Sequence, residues 1–251
     1  MPYGLYLSAE GAQAQAQRLK FIANNLANVD TPGFKRDVPT FQARFAEAIQ
    51  QGQDVSGSQS VNDVGGGVKL MEVNTDFSGS TLRHTNIPTD FAVNGDGFFQ
   101  LRDNNGETLL SRAGNFMIDV QGRLVTQNGQ FSVLDDSGGE IQIDSQQPWD
   151  VFPGGVISQN GALIKIGLQK AQSLGDLVKV GNNMFRPLGP TTPVPAKQRD
   201  IRQGYLEHSG VNSTREMMAM IETTRAFEAN TKLIQHQDGM LSTLISRVLS
   251  R

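Results

Sequence analysis

The sequence predicts an α+β chain in which N- and C-terminal helices pair as a coiled coil, with a central all-β domain between them. Three observations carry this. Residues 5–26 lack proline and, after Gly11, glycine, and they hold a heptad pattern. The stretch 91–185 changes to a period of two, punctuated by Asn-Gly and Asp-Gly pairs. From residue 213 onward a second and longer heptad pattern runs to the end of the sequence.

In the first helix, apolar residues fall at Leu5, Ala9, Ala12, Ala16, Leu19, Ala23 and Leu26, alternately four and three apart, and Ile22 widens the stripe. Alanine dominates this seam, so a partner backbone can come close while each contact buries little area. Such a helix is marginal alone. It stops at Asn28-Val29-Asp30-Thr31-Pro32-Gly33-Phe34, where Pro32 drives Thr31 out of helical geometry and Pro-Gly suits the centre of a type II turn. Residues 41–49 read as a short amphipathic piece, and residues 51–68, rich in Gly, Ser, Gln and Asp, as a flexible linker.

Candidate strands follow at 90–93, 98–102, 115–118, 123–126, 131–134, 142–143, 163–169 and 177–180. The pairs Asn94-Gly95, Asp96-Gly97, Asn105-Gly106, Asn128-Gly129 and Asn160-Gly161 read as hairpin turns of type I′. Short strands with regular turns make an all-β domain of about 100 residues. Residues 188–195, with three prolines, read as an extended connector.

The last helix opens on Ser213-Thr214-Arg215-Glu216, a capping-box pattern. Apolar residues recur at Met217, Ile221, Phe227, Ile234, Leu241, Ile245 and Val248, with Thr224, Thr231 and Asp238 in the same seam. Glu228 and Lys232 form an i,i+4 pair on its flank. At 1.5 Å per residue the helix spans about 55 Å, longer than one small domain requires. The expected division is a helical segment at 1–35, a linker and extended arm at 36–85, the β domain at 86–200 and a helical segment at 201–251.

The 251 residues carry a net charge of -3, so the basic excess of nucleic-acid binding is missing. With no cysteine there is neither a disulfide framework nor a thiolate metal site. Hydrophobic residues make up only 37%, which leaves burial to be completed by partner chains or leaves some of the chain disordered. The N-terminus has no basic, apolar signal sequence, and no segment reaches the roughly 18 apolar residues of a membrane span. On these grounds alone the expected location is the cytoplasm, unless export reads something other than a cleaved signal.

Chemical sites fare poorly. Of the three histidines, His236 has Asp238 two residues on, but that spacing turns the two to different helix faces. His84 sits in a polar stretch. Gly65-Gly66-Gly67 lacks the Lys-Ser/Thr of a phosphate loop, and Asn94-Gly95-Asp96-Gly97 lacks the rest of a calcium loop. No nucleophile elbow occurs. No catalytic, cofactor-binding or metal-binding residue is expected, and the chain is read as a building block rather than an enzyme. Met217, Met218 and Met220 form either a packing face or an adaptable contact surface. Asn24, Asn25 and Asn28 are either helix-terminal residues or hydrogen-bonding groups between subunits.

Three segments resemble the axial proteins of the bacterial flagellar rod and hook. They are Ile22-Ala23-Asn24-Asn25-Leu26-Ala27-Asn28-Val29-Asp30-Thr31-Pro32-Gly33-Phe34-Lys35, then Asp90-Phe91-Ala92-Val93-Asn94-Gly95-Asp96-Gly97-Phe98-Phe99 with Ser111-Arg112-Ala113-Gly114-Asn115-Phe116, and Gly204-Tyr205-Leu206-Glu207 followed by Glu216-Met217, Arg225-Ala226-Phe227-Glu228, Asn230, Lys232 and Ile234. The sequence departs from the family at Gly210, where asparagine is common.

The resemblance implies a structural subunit of the basal-body rod, polymerising into a hollow helical shaft that transmits torque, its terminal helices forming the inner tube and its β domain lying outside. It implies self-association, partnership with other rod and hook axial proteins, and export through the flagellar type III apparatus without a cleaved signal. No nucleic acid, membrane insertion, cofactor or small-molecule substrate is implied. Proximal-rod and distal-rod types both fit, with the proximal one favoured. Residues expected at subunit contacts are Leu5, Ala9, Ala12, Ala16, Leu19, Ile22, Ala23, Asn24, Asn25, Leu26, Asn28, Gly33, Phe34, Met217, Met220, Ile221, Arg225, Phe227, Glu228, Asn230, Ile234, Leu241, Ile245 and Val248. The alternatives are a secreted β-module that binds cell-wall or carbohydrate polymers and is oligomerised by its helices, and a distal-rod or hook-type subunit.

Overall fold

A computed structural model describes residues 3–44, 65–144, 146–152 and 154–249, with positions 49, 51, 52 and 55 between. The chain is α+β, and it divides into two compact units. One comprises Met1–Ala27, Asp37–Thr75 and Asn212–Arg251; the other comprises Asn28–Arg36 and Asp76–Val211.

The first unit contains α1 (Tyr3–Ala27), α2 (Ser213–Leu249) and most of the two paired strands β1 (Arg36–Ala43) and β2 (Val68–Asp76). The helices pack antiparallel. A Cβ on Gly4 would lie 3.0 Å from Gln237 Nε2, and one on Gly11 would lie 3.3 Å from the Asn230 amide. Each step of seven along α1 is thus a step of seven backward along α2. The absence of side chains at Gly4 and Gly11 lets the α2 amides lie against the α1 backbone. The face of α2 that is buried or half-buried runs Glu216, Met220, Thr223, Phe227, Asn230, Ile234, Gln237 and Leu241, a strict heptad that alternates polar with apolar.

This seam differs from the expected one. On α1 the residues buried within the chain are Ser8, Ala12, Ala14, Ile22 and Asn25, whereas Ala9 and Ala23 are exposed. Part of the expected stripe is in the pairing, Ala12 and Ile22 on α1 and Phe227, Ile234 and Leu241 on α2, and small and polar residues beside it complete the contact. The cap also moves. Asn212, not Ser213, closes the N-terminus of α2: its Oδ1 accepts from Arg215 N (3.0 Å) and its carbonyl from Glu216 N (3.0 Å). The piece expected as amphipathic at 41–49 begins as strand, since Phe41 to Ala43 belong to β1. Most of the linker expected at 51–68 lies outside the described residues, and Val68 begins β2.

The second unit is the β domain. Its largest sheet has the order β14-β15-β6-β5-β9-β8-β7, from β14 (Leu177–Gly181), β15 (Met184–Pro187), β6 (Thr108–Ser111), β5 (Phe98–Asp103), β9 (Phe131–Val133), β8 (Leu124–Thr126) and β7 (Phe116–Ile118). β13 (Leu168–Ala171) joins β5 and carries β16 (Thr191–Pro193). Three smaller sheets accompany it: β10-β11-β12 (Asp150–Phe152, Val156–Gln159 and Ala162–Lys165), β4 (Phe91–Val93) with β17 (Ile201–Gln203), and β3 (Leu82–His84) with β18 (Tyr205–Glu207). The core gathers Phe91, Phe99, Leu101, Leu124, Val133, Ile141, Ile166 and Leu168, and Trp149 packs on it.

Two expectations are corrected here. The stretch 163–169 is two strands of different sheets, β12 and β13, and between them Gly167 lies so close to Leu134 that a Cβ would come 2.7 Å from its carbonyl oxygen. The connector at 188–195 contains a ladder strand, β16.

The turns have an internal order. Asp103, Asp119 and Asp135 stand 16 residues apart, and each builds the same hairpin loop. Each Asp Oδ1 accepts from the N–H groups two and four residues on, at 2.7–2.9 Å. A glycine three residues after each aspartate holds positive φ: 87° at Gly106, 80° at Gly122 and 84° at Gly138. Of the Asn-Gly pairs, Asn160-Gly161 alone has both residues at positive φ (51° and 82°), as type I′ requires. At Asn105-Gly106 the aspartate-anchored loop takes over. Asn94 to Gly97 is no hairpin, since β4 pairs with β17 and not with β5.

Candidate assembly interface

The helical unit separates its residues by side. Met217 (47% exposed), Ile221 (55%) and Ile245 (58%) are exposed, as are Arg225 and Glu228; Val248 (73%) is exposed as well, although it continues the heptad of the α1-facing seam. Met220, Phe227, Asn230, Ile234 and Leu241 are half-buried in the α2 seam. On α1, Leu5, Ala16, Leu19 and Leu26 are half-buried, Ala9, Ala23 and Asn24 exposed, and Ala12 and Ile22 buried. The α2 face toward α1 thus alternates polar with large apolar side chains, and a further set of large apolar side chains stays exposed. An exposed apolar stripe of this length marks a contact surface.

Asn25 has a different position from the one its place in the motif allows. It is 2% exposed, its Nδ2 donates to the Asp37 carbonyl at 2.9 Å, and its Oδ1 accepts from Asp37 N at 3.0 Å. The side-chain amide thus completes a ladder step for the first residues of β1, so Asn25 is committed within its own chain.

The remaining motif residues converge inside the β domain. After α1, Thr31-Pro32-Gly33-Phe34 forms the expected turn: Phe34 N donates to Thr31 O at 3.3 Å, and Gly33 has φ 64°. Gly33 is also required by space, because a Cβ there would lie 2.5 Å from the Arg112 carbonyl group. The turn delivers Lys35 into the interior, 1% exposed. Its Nζ meets Glu207 Oε1 at 2.7 Å and donates to Ser78 O at 2.8 Å. From the other side Arg112 Nε reaches Glu207 Oε2 at 2.8 Å, while the Arg112 Nη groups donate to the Gly95 and Gly97 carbonyls. Ser80 N donates to Glu207 Oε1 at 3.1 Å.

One buried carboxylate thus holds two buried cations, drawn from three motif segments far apart in sequence. Burial pulls the Lys35 ammonium below its ordinary range, and the adjacent Glu207 offsets part of this. Around the cluster, Lys179 Nζ stands 4.6 Å from the Phe34 ring centroid, Asn183 Nδ2 donates to Pro32 O at 2.9 Å, and Gly210 N donates to Phe34 O at 2.8 Å. Gly114, next to Arg112, has no room for any side chain: a Cβ would sit 1.7 Å from the Phe91 carbonyl oxygen. The glycines of Asn94-Gly95-Asp96-Gly97 have φ of 126° and 123°, and their carbonyls are the Arg112 acceptors.

Sequence reading quoted Lys35, Arg112 and Glu207 within motifs but gave them no role. For Arg112 a signal was available in kind, since a single charge stands between Ser111 and Ala113-Gly114; Lys35, followed by Arg36 and Asp37, gave none. The partners, 172 and 95 residues apart, were not visible. Among the described residues no group of three or more His, Asp or Glu side chains could hold a metal ion. No described helix is long and apolar enough to cross a membrane.

Comparison with known proteins meets the same three segments. Residues 5–35 match the family model described as flagella basal body rod protein. Residues 92–164 match the flagellar hook protein FlgE/F/G D1 domain, and residues 202–247 match the flagellar basal body rod FlgEFG protein C-terminal model. The chain is 33% identical over 253 residues to the flagellar basal-body rod protein FlgF of Caulobacter vibrioides, covering 99% of this chain and 98% of that one. It is 32% identical over 261 residues to FlgG of Bacillus subtilis (96% and 97% covered), and 31% identical over 248 residues to FlgF of Rhizobium meliloti (98% and 97% covered). These matches lend no support to a carbohydrate-binding β-module. With three family models met in order and relatives matched along nearly their full length, this chain belongs to the flagellar basal-body rod protein family.

Proposed function

We propose that this structural rod-family subunit, which assembles with other rod and hook proteins of the flagellum, polymerises through the outward apolar stripes of α1 and α2. The polymer is a hollow helical shaft that transmits torque, and the helical unit supplies its inner layer. The observation that carries the reading is the set of large apolar side chains that the helix pair leaves exposed, among them Met217, Ile221, Leu244 and Ile245, beyond those its own seam covers. Burying one large apolar side chain contributes about 1.5–3 kcal/mol. Several such residues shared among neighbours therefore compete with an association cost of about 4–15 kcal/mol. Contacts of head-to-tail type that do not close give a filament.

Export through the flagellar type III channel without a cleaved signal belongs to the same reading, as does a place in the proximal rod. The match to an FlgF protein along 99% of the chain supports that place. Truncation after Met240 tests the function. It removes the exposed Leu244, Ile245, Val248 and Leu249 while leaving the β domain intact. Loss of the protein from isolated basal bodies, with loss of motility, is the expected result; normal motility would sink the proposal. Cross-linking in intact basal bodies then shows whether the neighbours are proximal-rod or distal-rod proteins.

A further inference from the structure

The buried clasp in the β domain is short of negative charge. Lys35 and Arg112 are two buried cations that share the carboxylate of Glu207. Both of its oxygens are engaged, Oε1 by Lys35 Nζ and Ser80 N, Oε2 by Arg112 Nε. Asp76 and Asp96 act on the cluster through space, but both are exposed and have partners of their own. Asp76 accepts from Ser78 N at 3.0 Å, and Asp96 pairs with Lys170 at 2.6 Å. One positive charge therefore stays uncompensated in the interior, where an unpaired charge costs free energy. Arg112 also has donors to spare. Of its five N–H groups, three meet Glu207, Gly95 O and Gly97 O, and among the described residues no acceptor meets the other two.

A cavity of about 340 Å³ reaches Arg112 and Glu207. Its walls include Phe77, Leu82, Val93 and Phe98, and the exposed Lys170–Asp96 pair lines it toward solvent. That volume is within the range of small-molecule sites, roughly 300–1,000 Å³. Charge and walls together specify the guest. A carboxylate would accept the spare N–H groups in charge-assisted hydrogen bonds and balance the surplus charge. An apolar body attached to it would bury against the aromatic walls. An uncharged molecule leaves the charge unpaired, and a small hydrated anion leaves the walls uncovered.

We propose that this cavity is a binding site for a small apolar carboxylic acid in its ionised form, held by Arg112 and packed against Phe77 and Phe98. The site is built within the β domain alone, so it goes beyond assembly through the helices and does not depend on it.

The test titrates the purified full chain with phenylpropionate, and separately with its neutral amide, phenylpropanamide, and with acetate. Binding is read by calorimetry and by the methyl resonances of Leu82 and Val93. The expected result is saturable binding of phenylpropionate that moves both sets of methyl signals, with the amide and acetate each binding at least tenfold more weakly. An amide that binds as tightly as the acid overturns the proposal, because the charge then plays no part. Acetate binding as tightly overturns it as well, because the walls then play none, and so does the absence of saturable binding by phenylpropionate. Gly79→Phe supplies a variant that spares the charge cluster. Gly79 lines the cavity and a Cβ there meets nothing within 4 Å, so a ring can enter without displacing a neighbour. Phenylpropionate binding should fall tenfold or more while the Trp149 melt of the β unit stays native. Undiminished binding in that folded variant overturns the site, and if the variant does not fold, the comparison of acid with amide on the wild-type chain decides. None of these outcomes bears on incorporation into basal bodies, so the rod assignment stands whichever is found.

Discussion

Replacing Glu207 by glutamine isolates what the buried charge cluster contributes. The substitution keeps shape but removes the carboxylate bonded to both Lys35 Nζ (2.7 Å) and Arg112 Nε (2.8 Å). Breaking a buried ion pair from one side costs about 3–5 kcal/mol, because an uncompensated charge remains. Here both cations keep carbonyl partners, Ser78 for Lys35 and Gly95 with Gly97 for Arg112, which puts the expected loss near the lower end, about 3 kcal/mol. For a protein of this size each kcal/mol moves the melting midpoint by about 2–4 °C, so a fall of roughly 6–12 °C follows. The chain has one tryptophan, and Trp149 packs on the β core with its ring 6.1 Å from Phe91, so its fluorescence reports unfolding of that unit alone. Adding Lys35→Met to the Glu207→Gln variant removes one of the two stranded cations and restores part of the loss. Glu207→Gln within about 0.5 kcal/mol of wild type would refute the reasoning, since that is the scatter of surface substitutions.

Asn25→Ala removes the two bonds its amide makes with the Asp37 N–H and carbonyl, a loss of about 1–3 kcal/mol; helix content followed at 222 nm on heating should show it, and an unshifted melt would contradict the assigned bonds. Gly114→Ala places a methyl 1.7 Å from the Phe91 carbonyl oxygen, so the β unit should lose its native Trp149 emission at 25 °C, and a natively emitting variant would argue against that close approach. Stability also depends on pH through Lys35. Its folded pKa lies below the ordinary 10.5, so its charged form costs stability, fully so below the folded pKa. As pH rises from there toward 10.5 the unfolded chain holds the extra proton and the cost is relieved. The stability of wild type minus that of Lys35→Met should therefore grow across that window in urea titrations; a constant difference would be inconsistent with a depressed lysine.

Much of the architecture was legible because composition and period change abruptly along the chain. Both terminal helices and most central strands follow from that. The faces of the helices did not. Gly4, Gly11, Asn230 and Gln237 carry the in-chain contact, and a search for apolar repeats passes over them. It finds Ala12, Ile22, Phe227, Ile234 and Leu241, which are in the pairing, but equally Ala9, Ala23, Met217 and Ile221, which are exposed. β2 is mostly exposed and shows no regular alternation, and it follows a run of three glycines that suggested linker. The Asn94–Gly97 segment carries the signature of a hairpin because its glycines do take positive φ, yet they do so to aim carbonyls at Arg112. The charge cluster was out of reach for another reason: pattern reasoning sees neighbours in sequence, and Lys35 and Glu207 are joined only by the completed fold.

That separation has a consequence for how the chain is made. The three aspartate-anchored hairpins close locally and can form within microseconds of synthesis. The clasp around Lys35 must wait for Glu207, 172 residues later. At about 5–20 residues per second, Lys35 spends roughly 10–30 s on the ribosome before its counter-charge exists. The last long helix, α2, is made later still, so α1 waits for its antiparallel partner longer than Lys35 waits for Glu207.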